Sequence, residues 1–450
     1  MTASLETQPA IKTPGSTANA FKKGFWAIAD QGLFAGSNCV INVMLARWLT
    51  PTEYGEFSTA FAAFLALGVI HTALLTEPML VYSPERYRDR HRHYFGTLVY
   101  GHLLVSLAAS LVLLAAGWYL GAQGQHNLSV ALYGFAGAGP FILLLWLMRR
   151  TCYGQLNPKR AAVGGVLYLV LMMSGLAIVH HFLTVSVTLA LTIIGVSSLL
   201  SAIWLGYGHV DLRPPGEMFR DVTAEHLRYG RWATATQILG FIPVNIYYFL
   251  LPKLATVEQS GALRALNNMF MPLLQANTAL CLLLIPAFVR VQGTPEGKRL
   301  HRWSLLILAG CPLVYWIFMG VFAHQAVNIV YGGKYVQYSG LVWILGIQPV
   351  IAGMCGVYAS VLKARGKVNA VFWGGFVAAV GAITLGVEMT RLYGLAGVCW
   401  SIVITYGLHH ITLWLFSRNM KWRARSDALA EAEAVAETEA ELARQLPEPV

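Results

Sequence analysis

From about residue 25 to residue 416 the chain returns repeatedly to apolar stretches about twenty residues long, each able to cross a bilayer core as a helix. Twelve can be marked, at roughly 25–46, 57–76, 95–119, 129–148, 161–181, 185–207, 230–251, 266–289, 303–323, 338–361, 370–388 and 393–416. In lipid each segment must satisfy its own backbone hydrogen bonds, so such runs fold as helices. The expected fold is all-α and polytopic, with about twelve transmembrane helices. Composition agrees: 12% of residues are charged and 56% hydrophobic, where a soluble domain averages about 25% charged.

The formal net charge of +11 would suit an acidic partner, but its distribution describes topology instead. With the N-terminus placed in the cytoplasm, 27 of the 32 Lys and Arg fall on that side. Only Arg47, Lys253, Arg264, Lys334 and Arg391 fall on the other. This alternation is the positive-inside pattern. It gives an N-in, C-in orientation and removes nucleic acid as the reason for the charge.

The expected organisation is a disordered cytoplasmic tail over 1–20, a first lobe over 21–207 with spans 1–6, and a cytoplasmic linker over 208–229. A second lobe over 230–417 carries spans 7–12, and an Ala/Glu-rich cytoplasmic tail covers 418–450. The first span holds Asp30, Gln31, Asn38 and Asn42 with no cleavage site, so it reads as a retained helix. The six Cys show no C-x-x-C spacing, and no metal or disulfide follows from them.

Between spans 1 and 2 lies Ala46-Arg47-Trp48-Leu49-Thr50-Pro51-Thr52-Glu53-Tyr54-Gly55-Glu56-Phe57. Thr50 is placed to cap a helix, Pro51 suits its first position, and Glu53 closes a capping box. A weaker copy recurs 206 residues on. Gly24–Gln31 lies over Gly230–Gln237 with Gly, Trp, two Ala and Gln shared; Arg47 then falls on Lys253 and Gly55 on Gly261. Later, Gly154-Gln155-Leu156-Asn157-Pro158 matches Gly366-Lys367-Val368-Asn369-Ala370 at a shift of 212, and Pro140 and Pro349 lie 209 apart. Two six-helix halves that both begin in the cytoplasm make a parallel repeat, the plan of many transporters.

The pattern Leu-Ala-Arg-x-Leu-x-Pro-x-Glu-Tyr-Gly-x-Phe resembles the polysaccharide-transporter family, Wzx-like flippases of the MOP superfamily with a MATE-like fold. Glu77-Pro78-Met79-Leu80-Val81-Tyr82 resembles a subset of them, and the twelve-span layout extends the likeness over 20–420. The resemblance implies movement of an undecaprenyl-pyrophosphate-linked oligosaccharide across a bacterial inner membrane by alternating access. It implies coupling to H+ or Na+, no bound cofactor, and membrane lipids and polysaccharide polymerase or assembly proteins as partners. It also implies a place in lipopolysaccharide or exopolysaccharide synthesis. Lipid II flippases of the superfamily usually carry extra spans, which are missing here.

Polar side chains within a bilayer face a cavity or a neighbouring helix. Gln31, Asn38 and Asn42 share one face of span 1, and the repeat sets Gln237 opposite Gln31 with Asn245 one position off Asn38. Span 8 carries Asn267, Asn268, Gln275, Asn277 and Thr278, and Gln348 precedes Pro349. Gln31, Asn38, Asn42, Gln237, Asn245, Asn268, Gln275 and Gln348 are therefore cavity candidates, with interhelical hydrogen bonding the alternative for each. Asp30, Glu77 and His71 are ion-coupling candidates, the alternatives being a snorkelling carboxylate, an ion pair with the Arg86–Arg92 cluster and a packed imidazole. Arg149, Arg150, Arg228, Arg231 and Arg290 could meet a pyrophosphate at the cytoplasmic vestibule, although the positive-inside rule already explains them. No Lys or Arg lies deep inside a run. The pairs His180-His181 and His409-His410 lack acidic or Cys neighbours, so no metal site is assigned.

A MATE-like exporter of organic cations would share this fold but would want acidic cavity residues. A polytopic enzyme would need a sizeable outer loop, and each outer loop here is under about 16 residues. The expectation is a transporter and not an enzyme.

Overall fold

The computed structural model describes residues 15–84, 86–213 and 216–418; most of the two terminal tails lies outside them. Among the described residues the chain is helical with no strand. Its helices are α1 (Gly15–Trp48), α2 (Pro51–His71), α3 (Glu77–Tyr82), α4 (His91–Ala122), α5 (His126–Gly154), α6 (Pro158–Phe182), α7 (Val187–Gly206), α8 (Glu217–Asn245), α9 (Tyr247–Leu254), α10 (Val257–Arg290), α11 (Pro295–Val321), α12 (Ala323–Tyr331), α13 (Val342–Leu345), α14 (Ile347–Ala364) and α15 (Val368–Arg418). A π-helical segment, Thr72–Thr76, joins α2 to α3.

Among the described residues nine helical segments are long and apolar enough to cross a membrane, ten when the bent pair α8 and α9 counts as one. Two features reconcile this with the twelve apolar runs. The 51-residue α15 breaks at Gly394, where φ is 56° and ψ −132°; at 1.5 Å per residue it exceeds twice the roughly 30 Å hydrocarbon thickness. α1 covers the first run but is diluted by its Lys, Asp, Gln and Asn. On α4, Leu103, Leu104, Leu107, Leu111 and Leu114 are all exposed along one helical face, a stripe a soluble protein would bury and a lipid-facing helix displays. The protein is a multi-pass, all-α membrane protein.

The chain packs as two compact units, one of Met1–Ile41 with Ala63–Gln237, the other of Asn42–Ala62 with Ile238–Val450. In the first, α5 is the central helix. Gly195 of α7 comes so close that an added Cβ would lie 3.1 Å from Ala138, and Gly134 of α5 sits beneath Leu191. Small residues of this kind let membrane helices approach. Phe64 stacks on Phe135 at 5.3 Å.

The second unit takes the tip of the α1–α2 hairpin. The capping box forms as its sequence dictates: Thr50 Oγ1 accepts from the Glu53 N–H at 3.2 Å, and Glu53 Oε2 accepts from the Thr50 N–H at 2.8 Å. Lys334 closes the C-terminal end of α1, its Nζ donating to the carbonyls of Arg47 and Leu49 at 2.7 and 2.6 Å. At Gly394 the helix breaks and the N–H of Leu395 is caught by Gln259 Oε1 at 2.8 Å, so the freed donor is not left unsatisfied.

The internal repeat appears in helix boundaries and in contacts. A shift of 206 carries Trp48, the end of α1, onto Leu254, the end of α9, and Pro51, the start of α2, onto Val257, the start of α10. Within the second unit residues related by that shift touch one another. Thr52 Oγ1 donates to Glu258 Oε1 at 2.8 Å, Arg264 Nη2 donates to the Ser58 carbonyl at 3.1 Å, and Gly261 lies against Gly55. Self-matching contacts of this kind are what a local pseudo-twofold generates.

The later match is corrected. After α5 the N–H of Asn157 donates to the Cys152 carbonyl at 2.8 Å, with Leu156 left-handed at φ 55°. After α14 the N–H of Lys367 donates to the Leu362 carbonyl at 2.9 Å, with Gly366 at φ 70°. The same cap thus recurs at a shift of 210, two fewer than the sequence match. The match paired the wrong glycine: Gly154 is helical and packs against Ser83 and Phe95, whereas Gly366 is the left-handed cap, whose counterpart is Leu156.

Candidate functional site

Two arginines, each just outside an apolar run, are buried inside helices. The helices extend beyond the runs: α5 continues past residue 148 to Gly154, and α10 begins at Val257, well before residue 266.

The first is in the first unit. Arg149, 6% exposed, meets Asp30, which is fully buried. Its Nη2 donates to Asp30 Oδ2 at 2.8 Å and its Nε to Oδ1 at 3.3 Å. Tyr153, one turn further along α5, adds a third hydrogen bond to Oδ2 at 2.7 Å. The guanidinium lies 3.8 Å from the Phe34 ring centroid, and Phe34 is one turn beyond Asp30 on α1. A carboxylate that accepts twice from one guanidinium and once from a phenol is a closed arrangement: the desolvation cost of each charge is offset by the other.

The second is in the second unit. Arg264 is 9% exposed, and its guanidinium is held by the Ser58 carbonyl and by the faces of Tyr248 at 4.4 Å and Phe61 at 4.7 Å. Its Nε has no hydrogen-bond partner, and no ion pair with a carboxylate forms among the described residues. Nearby, Tyr54 donates to Asn42 Oδ1 at 3.3 Å, while the buried Tyr335 hydroxyl has no hydrogen-bond partner among the described residues. A buried cation flanked by aromatic faces and lacking an anion is costly to keep.

A third polar group surrounds the π-helical segment of the first unit. Before it, His71 Nε2 faces His102 Nδ1 at 3.0 Å, both rings buried. Within it, the Leu74 carbonyl accepts from His226 Nδ1 at 2.8 Å, and Tyr94 pairs with His226 Nε2 at 2.8 Å. After it, Glu77 Oε1 accepts from Gln237 Nε2 at 2.6 Å. In the adjoining loop, Arg86 pairs with Glu225 at 2.6 Å, and burial together with a hydrogen bond to Glu225 pushes the Tyr87 phenol up to about 12.

Comparison with known proteins gives this arrangement its setting. The family described as polysaccharide biosynthesis protein matches residues 44–340 of the 450. The chain belongs to that family. The lipopolysaccharide biosynthesis protein WzxC of Escherichia coli (strain K12) is 24% identical over 196 residues, which are 43% of this chain and 39% of that protein. The match therefore spans well under half of the relative. An inward-facing multidrug resistance MATE family transporter of the MOP superfamily superposes with a TM-score of 0.70 at 16% identity, over 87% of this chain and 97% of that one. A MOP superfamily transporter from Pyrococcus furiosus, described as having a binding pocket of reverse polarity that suggests a different function, gives 0.64 at 16% identity, over 89% and 94%. These structures share the fold.

The remaining candidates of this polysaccharide biosynthesis protein fall into separate environments. Asn38 and Asn245, near-equivalents in the repeat, each donate to the carbonyl four residues back, Phe34 at 3.1 Å and Phe241 at 3.2 Å. Gln31 lies beside Tyr153. Asn268 and Gln348 are buried, and Gln348 Oε1 has no hydrogen-bond partner among the described residues; Gln275 is exposed. Arg150, Arg228, Arg231 and Arg290 are exposed, with Arg150 near Tyr153 and Arg231 over Trp232. Sequence reasoning named Arg149 for the vestibule but not as the partner of Asp30, and it passed over Arg264, Tyr153 and His226. The repeat carried a signal for Arg264: the helix start at Pro51, moved by 206, brings residue 264 inside a helix.

Proposed function

We propose that this protein is a flippase that carries an undecaprenyl-pyrophosphate-linked oligosaccharide from the inner to the outer leaflet of a bacterial inner membrane. Transport is by alternating access between two parallel six-helix lobes, with both termini cytoplasmic. Family membership supports a role in polysaccharide synthesis, and the MOP fold supports transport. The observation that carries the reading is the state of the buried charges. Asp30, the acid that an exporter of organic cations would need, is already neutralised by Arg149 and Tyr153. Arg264, in contrast, is a buried cation that pairs with no carboxylate among the described residues. A pyrophosphate brought to such a site exchanges water for a guanidinium in a low-dielectric setting, where charge-assisted hydrogen bonds are strong.

In this mechanism Arg264 receives the pyrophosphate, and Tyr248 and Phe61 fix the plane of the guanidinium and keep water from it. The Asp30–Arg149–Tyr153 group ties α1 to α5. Polar residues such as Asn268 and Gln348 are suited to sugar hydroxyls. The test is a leaflet-translocation assay in proteoliposomes with a fluorescent lipid-linked oligosaccharide. Transfer that depends on the protein is expected. Absence of transfer, together with efflux of cationic dyes, would overturn the reading in favour of a cation exporter.

A further inference from the structure

The first turns of α8 set Phe219, Val222, Thr223, His226 and Leu227 on one face, the i, i+3, i+4, i+7, i+8 pattern of an amphipathic helix, with Arg220, Asp221 and Arg228 off it. That face does not close fully on its neighbours. Between it, Leu74 of the π-helical segment, and Leu98 and Leu104 of α4 lies a cavity of about 160 Å³. All of these residues belong to the first unit. The lining is apolar apart from Thr97, Thr223 and His226. Two of these three have their hydrogen bonds made within the protein. Thr97 Oγ1 donates to the His93 carbonyl at 3.0 Å, and the ring nitrogens of His226 are engaged by the Leu74 carbonyl and the Tyr94 hydroxyl, each at 2.8 Å. Gly101 brings no side chain to the wall, and a Cβ there would stand 3.2 Å from Leu75.

A cavity of this size and character is filled by apolar matter and not by water; an engineered one of about 150 Å³ in a soluble protein stays dry and binds benzene. Where the cavity opens decides what fills it. Leu104 is both a wall residue and a member of the exposed leucine stripe of α4, and it is 59% exposed. The opening is therefore on the surface that lipid covers, and the filling is an acyl chain of the bilayer. Charge selects the headgroup. Arg88, Arg90 and Arg92 precede the α4 wall, Arg220 lies between the wall residues Phe219 and Val222, and Arg228 follows Leu227. All five are exposed, and none pairs with a carboxylate among the described residues. They outnumber Asp89, Glu217 and Asp221, the exposed acids of the same segments. Arginines at a membrane surface attract anionic lipid.

We propose that the cavity between α4, the π-helical segment and the first turns of α8 is a binding site for an anionic phospholipid, drawn from the leaflet that meets the Arg86–Arg92 loop. One acyl chain fills the cavity, and the headgroup phosphate is held by the exposed arginines beside it, Arg220 first. The chain completes the burial of the apolar face of α8 and so fixes that segment to α4. The phospholipid is a resident part of the first unit, whatever the protein transports.

The experiment is native mass spectrometry of the full-length protein, delipidated in detergent and titrated with palmitoyl-oleoyl-phosphatidylglycerol or with the phosphatidylcholine of the same chains. One phosphatidylglycerol is expected to bind at least about fivefold more tightly than phosphatidylcholine, the effect of a single arginine on an anionic headgroup. Arg220→Gln is expected to cut that preference about fivefold. Leu104→Trp plugs the opening and should abolish the bound lipid, whereas Leu111→Trp, on the same stripe but outside the cavity, should keep it. Equal binding of the two lipids by wild type overturns the proposal, and this outcome needs no variant to fold. Unchanged phosphatidylglycerol binding by Leu104→Trp places the lipid elsewhere and overturns it equally. Undecaprenyl phosphate that displaces phosphatidylglycerol at equal concentration puts a polyprenyl chain in the cavity, which is also a contrary result. Hydrogen–deuterium exchange on wild type gives an independent reading: amides 219–227 should slow with phosphatidylglycerol and not with phosphatidylcholine, and slowing confined to other segments contradicts the site. None of these measurements involves transport, so a failed translocation assay and a failed lipid site are separate results.

Discussion

Arg149 and Arg264 are both buried guanidiniums against aromatic rings, yet their surroundings differ in one respect. Arg149 has a carboxylate held by three donors; Arg264 has a backbone carbonyl and an unpartnered Nε. The first charge is consumed within the fold and contributes to holding it together. The second is offset only by one backbone carbonyl and two aromatic faces, with no carboxylate among the described residues, and the fold retains it within α10. A buried charge that is fully paired speaks of structure, and one that is not speaks of a ligand.

The contrast can be broken most sharply at Asp30. Asp30→Ala leaves Arg149 buried and unpaired and is expected to cost about 3–5 kcal/mol, read as a large fall in the melting temperature of the detergent-solubilised protein. Asp30→Leu combined with Arg149→Met should recover most of that loss, because the pair is removed together. A single Asp30→Ala with unchanged stability would mean the charge is not consumed there. The next effect concerns how Arg264 is placed. A Cβ at Gly55 would run into the Val257 carbonyl at the head of α10, so Gly55→Val should cost about 1–3 kcal/mol through overpacking. The same variant should impair transport by displacing the helix that carries Arg264. Thr50→Ala removes one half of the capping box at the start of α2 and should cost about 1 kcal/mol. Arg264→Gln has the smallest expected effect on stability: within about 1 kcal/mol of wild type, or stabilising, since it removes an uncompensated charge. Melting curves measured side by side would show whether the two arginines differ in this direction.

Much of the fold is written in local sequence. The apolar runs give the helices, and Thr50, Pro51 and Glu53 give the cap in full because all of its partners lie within four residues. The repeat at 206 fixes the start of α10. The site is less legible because its partners are remote. Asp30 stands out as an acid in an apolar run, but its partner lies 119 residues away, at a point where hydropathy had already ended the span. Arg264 was obscured in the same way, since a polar helix start lowers the local hydropathy without ending the helix. The π-helical segment has a residue signature that hydropathy does not use: Pro78 has no N–H to give the Leu74 carbonyl four residues back, and that carbonyl accepts from the remote His226 instead. The two-residue error in the later repeat has a similar origin, because a left-handed cap can rest on Leu156 in one half and on Gly366 in the other.

The most direct test of the difference between the two arginines is thermal stabilisation by undecaprenyl pyrophosphate, measured on wild type, Arg264→Gln and the Asp30→Leu/Arg149→Met pair. At a free concentration about one hundred times its dissociation constant, the lipid should stabilise wild type by about 2.7 kcal/mol. The account predicts that the double variant retains this stabilisation and that Arg264→Gln loses it. Equal stabilisation of Arg264→Gln and wild type, or loss confined to the double variant, would contradict it.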